Sequence, residues 1–239
     1  MDRRMVGAIV VVSGVVVLAV ASIFMLFYRE PTTPEPSPTL NGIVVELPEP
    51  RYDSDVSIEE ALLERRSVRE YTGEPLTLQE ISQLLWAAQG ITDPRGYRTA
   101  PSAGGLYPLE VYLVVGDVAG LGAGIYRYRP QGHELVKVRD GDRREELCAA
   151  ALGQAWVREA AADLVIMAVY ETTTAKYGDR GVQYVHLEAG HAAQNVCLQA
   201  TAMGLGTVTV GAFHDEQVGE VLGAAENEQP LYVMPVGRK

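Results

Sequence analysis

Val6 to Phe27 is a run of twenty-two residues without a charge, and only Ser13 and Ser22 in it carry polar side chains. At about 1.5 Å of rise per residue, an unbroken helix over this run reaches across a ~30 Å hydrocarbon core. The pattern predicts one N-terminal transmembrane helix, with residues 6–27 in contact with membrane lipid. A secretory signal peptide is the competing reading, because Arg3 and Arg4 flank the run and Ala19-Val20-Ala21 has the small residues of a cleavage site. The apolar part of such a peptide is about 7–15 residues long. Here it continues through Phe27, which favours an anchor that stays in place. Basic residues mark the cytoplasmic flank of a span. Arg3 and Arg4 precede this one and only Arg29 follows before Arg51, so the expectation is a single-pass membrane protein with its domain on the extracytoplasmic side.

Three regions follow from this reading: an anchor over 1–29, a linker over 30–48 and a globular domain over 49–239. Pro31, Pro34, Pro36 and Pro38 lie among Thr, Glu and Ser, a composition that forms no packed core and prefers extended polyproline geometry. The remaining length suits one domain. The formal charge of −11 argues against a generally basic nucleic-acid-binding surface. Cys148 and Cys197 sit in separate apolar helical patterns without Cys-x-x-Cys spacing, so neither a disulfide framework nor a zinc knuckle is expected.

Along the domain, helices alternate with short strands. Ser57-Ile58-Glu59-Glu60 and Thr77-Leu78-Gln79-Glu80 are capping-box patterns, and Gly90 suits the C-terminal end of the second helix. Strands are expected at Val111–Val115, at Ile125–Tyr128 and Leu135–Val138 as a hairpin, and at Leu164–Tyr170, Thr207–Val210 and Leu231–Val236. Helices are expected near Asp142–Leu152 and Asp215–Leu222, and a long one over Gly181–Met203. That long helix is apolar over more than one face, as in a helix buried centrally or shared with a partner subunit. The order is mixed, so the predicted fold class is α+β, a mixed sheet covered by helices.

Several chemistries are set aside. No Gly-x-x-x-x-Gly-Lys-Ser/Thr loop is present, and the glycines at 120, 122 and 124 miss the dinucleotide spacing. Glu188-Ala189-Gly190-His191 has the Glu-x-x-His step of carboxylate-bridged iron sites, but no second step exists; His191 reads as an interior hydrogen-bonded histidine, and no metal is expected. More productive is Arg65-Arg66-Ser67-Val68-Arg69. Its bland reading is cations complementing a helix C-terminus; its functional reading is a phosphate site, because guanidinium offers planar bidentate donors. Arg238 and Lys239 follow a terminal strand that could bring them to the same anion. In Ala100-Pro101-Ser102-Ala103-Gly104-Gly105-Leu106-Tyr107-Pro108, two glycines allow close backbone approach to a planar ligand; alone it is a generic turn.

These segments, with Lys-Tyr-Gly-x-Arg-Gly at 176–181, Glu-Ala-Gly-His-x-x-Gln-Asn at 188–195, Gly-Leu-Gly at 204–206 and the closing Pro-Val-Gly-Arg at 235–238, resemble the nitroreductase family, most closely its SagB-type dehydrogenase branch. The resemblance spans about residues 55–239 with the motifs in order. It implies an FMN-dependent α+β intertwined homodimer with each flavin in a cleft between subunits. It implies that Arg65, Arg66, Ser67 and Arg69 bind the cofactor, with Arg65 and Ser67 on the phosphate and Arg69 near the pyrimidine edge. It further implies that Ser102, Ala103, Gly104 and Gly105 approach the ring from the other subunit, that the Val210-Gly211 backbone lies near flavin N5, and that Arg238 completes the phosphate grip. Lys176 and Tyr177 resemble the proton-transferring pair of azoline-forming oxidases, which oxidise a peptide heterocycle; the alternative is that this segment merely starts the long helix.

The resulting expectation is an FMN oxidoreductase performing two-electron transfer on a small-molecule or peptide substrate. With the domain outside, NAD(P)H would be an awkward donor. The alternative is a tethered flavin- or ligand-binding module without turnover.

Overall fold

The computed structural model describes residues 42–239. The expected anchor over 6–27 and the proline-rich stretch around 31–38 lie outside the described residues. No helix among the described residues is long and apolar enough to cross a membrane. The single-pass, extracytoplasmic localisation is accordingly corrected and withdrawn.

In chain order the elements are β1 (Val44–Glu46), α1 (Ile58–Glu64), β2 (Leu76–Thr77), α2 (Leu78–Gln89), a 3₁₀ turn at Ala103–Gly105, β3 (Leu109–Val115), β4 (Val118–Ala119), β5 (Gly124–Arg129) and β6 (Glu134–Asp140). They continue as α3 (Arg144–Ala150), α4 (Ala155–Glu159), β7 (Ala162–Val169), α5 (Glu171–Tyr177), α6 (Arg180–Ala202), β8 (Leu205–Thr207), α7 (Asp215–Leu222) and β9 (Glu228–Arg238). The main sheet has seven strands in the order β1-β6-β5-β3-β7-β9-β8, and its neighbours all pair antiparallel. The expected α+β architecture with helices over the sheet is what the chain adopts, but the main sheet is antiparallel throughout instead of mixed.

Strand β7 shows why the two faces are covered. Its side chains alternate with period two: Leu164, Ile166 and Ala168 enter one apolar cluster, Val165 and Met167 the other. All five are fully buried, and the four larger than Ala168 are each worth roughly 1.5–3 kcal/mol taken out of water. The first cluster is closed by α2 and α6, through Ile81, Leu84, Leu85, Val185, Ala189 and Ala192. The second is closed by α3, α4 and α7, through Leu147, Val157, Val218 and Leu222.

Local sequence sets the helix ends. Thr77 accepts from the Glu80 amide while the Glu80 carboxylate accepts from the Thr77 amide, a complete capping box. Ser57 caps α1 by accepting from Glu60. Gly178, at φ 55° and ψ −146°, adopts a backbone that only glycine visits at low cost. It therefore divides α5 from α6: Lys176 and Tyr177 close a short helix of their own instead of opening the long one. His191 is exposed on α6, which corrects its expected interior place. Strand β1 lies inside the stretch expected as linker. Strands β2 and β4 are two residues each, too short to leave a period in the sequence.

A histidine latch pins this first strand's continuation to the core. Leu47 donates its amide to the His133 carbonyl at 3.2 Å. Ser82 Oγ donates to the Pro48 carbonyl and lies 2.7 Å from His133 Nε2, while His133 Nδ1 lies 2.9 Å from the Tyr128 hydroxyl. One neutral tautomer satisfies the set: Nε2–H donates toward Ser82 and the Pro48 carbonyl, and Nδ1 accepts from Tyr128. Burial, the largest cause, holds the imidazole pKa below its usual value. The unfolded chain therefore binds the proton more readily. This contribution to stability is present above about pH 6.5 and is lost as pH falls through the lower folded value. Urea midpoints should drop between neutral and mildly acidic pH in the unaltered chain, and drop less in His133→Gln; equal drops would discard the latch.

Candidate functional site

Two groups of the expected site residues form. The first begins where α1 ends. Arg65 occupies the C-cap of α1, its amide donating to the Ala61 carbonyl at 3.0 Å. The chain then runs along β8, with Ser67 bridged to Thr207 and the Val68 amide donating to the Thr207 carbonyl at 3.0 Å. This lays Ser67 and Arg69 along the end of the sheet. Arg69 stacks over Trp156 with 5.4 Å from guanidinium carbon to ring centre. Among the described residues no carboxylate pairs with Arg65, Arg66 or Arg69, whereas the other ion pairs engage Arg95, Arg127, Arg129, Lys137, Arg143, Arg144, Arg158 and Arg238. In a chain of charge −11, free guanidiniums beside a hydroxyl are suited to an anion. The adjacent Thr207 hydroxyl is buried without a partner, an orphan polar atom of the kind a bound ligand satisfies.

Two expected members are placed differently. Arg238 turns toward α2, bonded to Glu80 at 3.1 Å and to the Pro75 carbonyl at 3.2 Å, with Glu74 3.8 Å away. Its charge is already compensated, and we leave it out of the anion site. Arg66 folds back onto the carbonyls of Leu63 and Arg65 at 2.9 and 2.7 Å, the helix-end role. Val210 spends its amide and its carbonyl on Val233 at 2.8 and 2.9 Å, leaving exposed Gly211 as the backbone available at that position.

The second group joins two segments that the sequence leaves 70 residues apart. Gly104 has φ 65°, and a Cβ built on it would stand 2.7 Å from Tyr177 Oη and 2.9 Å from Lys176 Nζ. The positive φ favours glycine, and any side chain there would have to displace the ends of Lys176 and Tyr177. The Lys176 ammonium lies 5.3 Å from the Tyr177 ring centre, and that ring meets Tyr184 edge-on at 5.2 Å. Ser102 opens the turn: its hydroxyl accepts from the Tyr107 amide at 2.9 Å, and its carbonyl from the Gly105 amide at 3.1 Å. Tyr107 is itself at φ 52°, with its hydroxyl accepting from the Arg98 amide at 3.2 Å and Arg98 stacked 4.6 Å from its ring centre.

Behind the turn sits Glu188 of α6, which the sequence offers as a metal ligand and as part of the 188–195 motif but to which no site role was assigned. It is 2% exposed, and burial, partly offset by the Ser102 hydroxyl and the Arg98 charge, pushes its carboxyl up to about 7. The signal was present: Glu188 lies on the α6 stripe of Val185, Ala189 and Ala192, where a carboxylate has no place unless it has a task.

Residues 62–238 match the Nitroreductase family. The chain belongs to that family, whose members are oxidoreductases, typically flavin-dependent. A nitroreductase of Methanocaldococcus jannaschii is 52% identical over 185 residues, which is 77% of this chain and 92% of that one. An NADPH-flavin oxidoreductase of Vibrio harveyi is 35% identical over 111 residues, 43% of this chain and 46% of its own. Among solved structures, a nitroreductase of Anabaena variabilis superposes with a TM-score of 0.73 at 35% identity, over 82% of this chain and 42% of that one. The E. coli microcin synthetase McbBCD complex with truncated pro-MccB17 bound gives 0.63 at 25% identity, over 84% and 79%. The chain thus spans less than half the length of the Vibrio and Anabaena proteins.

Proposed function

We propose that the chain is an FMN-dependent oxidoreductase, closest to the SagB-type branch, that carries out two-electron transfer on a small-molecule or peptide substrate. The observation that carries this reading is the uncompensated pair Arg65 and Arg69 with Ser67, laid beside the orphan Thr207 hydroxyl in an acidic protein. The flavin reductase among the relatives supports the cofactor, and the peptide-bound microcin synthetase supports a peptide as one substrate class.

Bound FMN would accept or deliver hydride at N5. Arg65 and Ser67 would hold its phosphate, and Arg69, steadied by Trp156, would set a positive charge near its pyrimidine portion, where it would favour negative charge. Gly211 would offer free backbone to the cofactor. Lys176 Nζ and Tyr177 Oη, both against Gly104, hold and move the proton that accompanies hydride transfer. No hydrogen bond or ion pair among the described residues joins Arg65, Ser67 or Arg69 to the Gly104 group. A homodimer in which one copy supplies the anion group and its partner the Gly104 group reconciles them. Exposed Ile58, Leu62 and Leu63 on α1 and Leu187 on α6, the third of these 73% exposed, offer apolar surface for it.

The full-length chain should purify yellow or take up added FMN, and its flavin absorbance should bleach with dithionite. A colourless protein that takes up no FMN would overturn the reading; bleaching by NADPH would identify a donor.

A further inference from the structure

Three of the four residues from Gly104 to Tyr107 have left-handed backbone: Gly104 at φ 65°, Gly105 at 67° and Tyr107 at 52°. At the two glycines this costs little. Tyr107 is an outlier twice over, because a bulky side chain rarely enters that region and because the proline that follows drives its predecessor toward extended backbone. A glycine or an asparagine would make the same turn more cheaply, so the tyrosine side chain has a task there. Its surroundings over-determine the backbone. The Tyr107 amide donates to Ser102 Oγ at 2.9 Å, its hydroxyl accepts from the Arg98 amide at 3.2 Å, and the Arg98 guanidinium lies 4.6 Å from its ring centre. Arg98 is itself fixed: its backbone bridges Ile91, and its guanidinium donates to Gln89 of α2 at 2.7 Å. On the far side, the Pro108 carbonyl accepts at 2.9 Å from the amide of Val169, the last residue of β7.

We propose that Tyr107 is a positioning residue for Lys176 and Tyr177: clamped by Arg98, it fixes the exit of the turn and so seats Gly104 against both of their polar ends. The inference rests on the function proposed above for that pair. The contacts form an unbroken path. It starts at the C-terminal end of α2 and passes through Gln89 and Arg98 to the Tyr107 hydroxyl and ring. The Ser102 hydroxyl and carbonyl then tie Tyr107 and Gly105 into one loop, with Gly104 between them facing Tyr177 Oη and Lys176 Nζ. The loop leaves through Pro108 into β3, which pairs with β7, and β7 leads within two residues into the helix that carries the pair. Turn and pair are thus hung from neighbouring strands, and Tyr107 sets the angle between them. Without its hydroxyl the bond to the Arg98 amide is gone, nothing offsets the unfavourable backbone, and the loop relaxes toward extended geometry. Lys176 is exposed and Tyr177 half-buried, so Gly104 is the backing that holds their ends, and proton transfer depends steeply on such placement.

Tyr107→Phe keeps the ring under Arg98 and removes only the hydroxyl. In the full-length chain labelled with carbon-13 at tyrosine Cζ, the Tyr177 resonance is the one missing from Tyr177→Phe. That resonance should shift or broaden in Tyr107→Phe, with flavin bound or not; an unmoved resonance would overturn the proposal. Arg98→Met, which opens the same clamp from its other side, should move it too and stands in should Tyr107→Phe fail to fold. In turnover, Tyr107→Phe should lower kcat about tenfold, the order of one hydrogen bond lost, with KM and flavin content unchanged. Combined with Tyr177→Phe, its loss should be smaller than on its own, because the one residue acts through the other; fully multiplicative losses would overturn the proposal. A chain without turnover would overturn the reading of the pair as proton carriers, not their placement by Tyr107, which the resonance decides.

Discussion

Replacing Arg65 and Ser67 together by alanine is expected to yield a folded, colourless protein whose affinity for added FMN is lower by roughly a hundredfold. Two contacts to a phosphate are deleted, each worth about 1.5 kcal/mol when charge assists it, and 1.4 kcal/mol is a factor of ten. Ser67 is exposed and Arg65 half-buried, and neither pairs with a carboxylate, so the melting temperature should hardly move. Absorbance titration with FMN, run beside a thermal melt, measures both. Unchanged FMN affinity would return the arginines to the role of complementing a helix end, which Arg66 already plays on the Leu63 and Arg65 carbonyls.

The second large effect is on turnover with the cofactor kept. Lys176→Ala and Tyr177→Phe should each lower the rate by on the order of 10²–10⁴, the range general acid–base groups contribute, while flavin content stays at its original level. Tyr177→Phe is the sharper case, since it keeps the ring against Tyr184 and removes only the hydroxyl beside Gly104. Stopped-flow flavin reduction and reoxidation would show which half-reaction slows. A Tyr177→Phe enzyme with unaltered rates in both would assign the pair to packing the turn.

Much of the scaffold was legible from local signals. The Thr77 capping box, the β7 run and the α7 boundaries appear in the sequence as periodicity and cap chemistry, which are properties of neighbouring residues. What escaped was long-range. The meeting of Gly104 with Lys176 depends on the fold of the 71 residues between them, and Arg238 was expected on an anion because its sequence gives no sign that Glu80 would arrive first. Glu188 was visible as a residue but not as a buried carboxylate with an unpartnered oxygen, which only the packing around α6 reveals. The long helix was expected from Gly181 and begins at Arg180, but the short helix α5 before Gly178 was not expected, because seven residues leave little helical period and only the φ and ψ of Gly178 mark its end.

Helix α6 also acts as a ruler. Asn195 holds the Thr99 carbonyl at the head of the segment leading to Gly104, and Gln199, one turn later, accepts from Gln83 of α2, so inserting or deleting one residue between them would change their separation by about 1.5 Å and turn one about 100° relative to the other. The residue count of this stretch of helix therefore sets where the Gly104 segment sits against α2 as firmly as the side chains it carries.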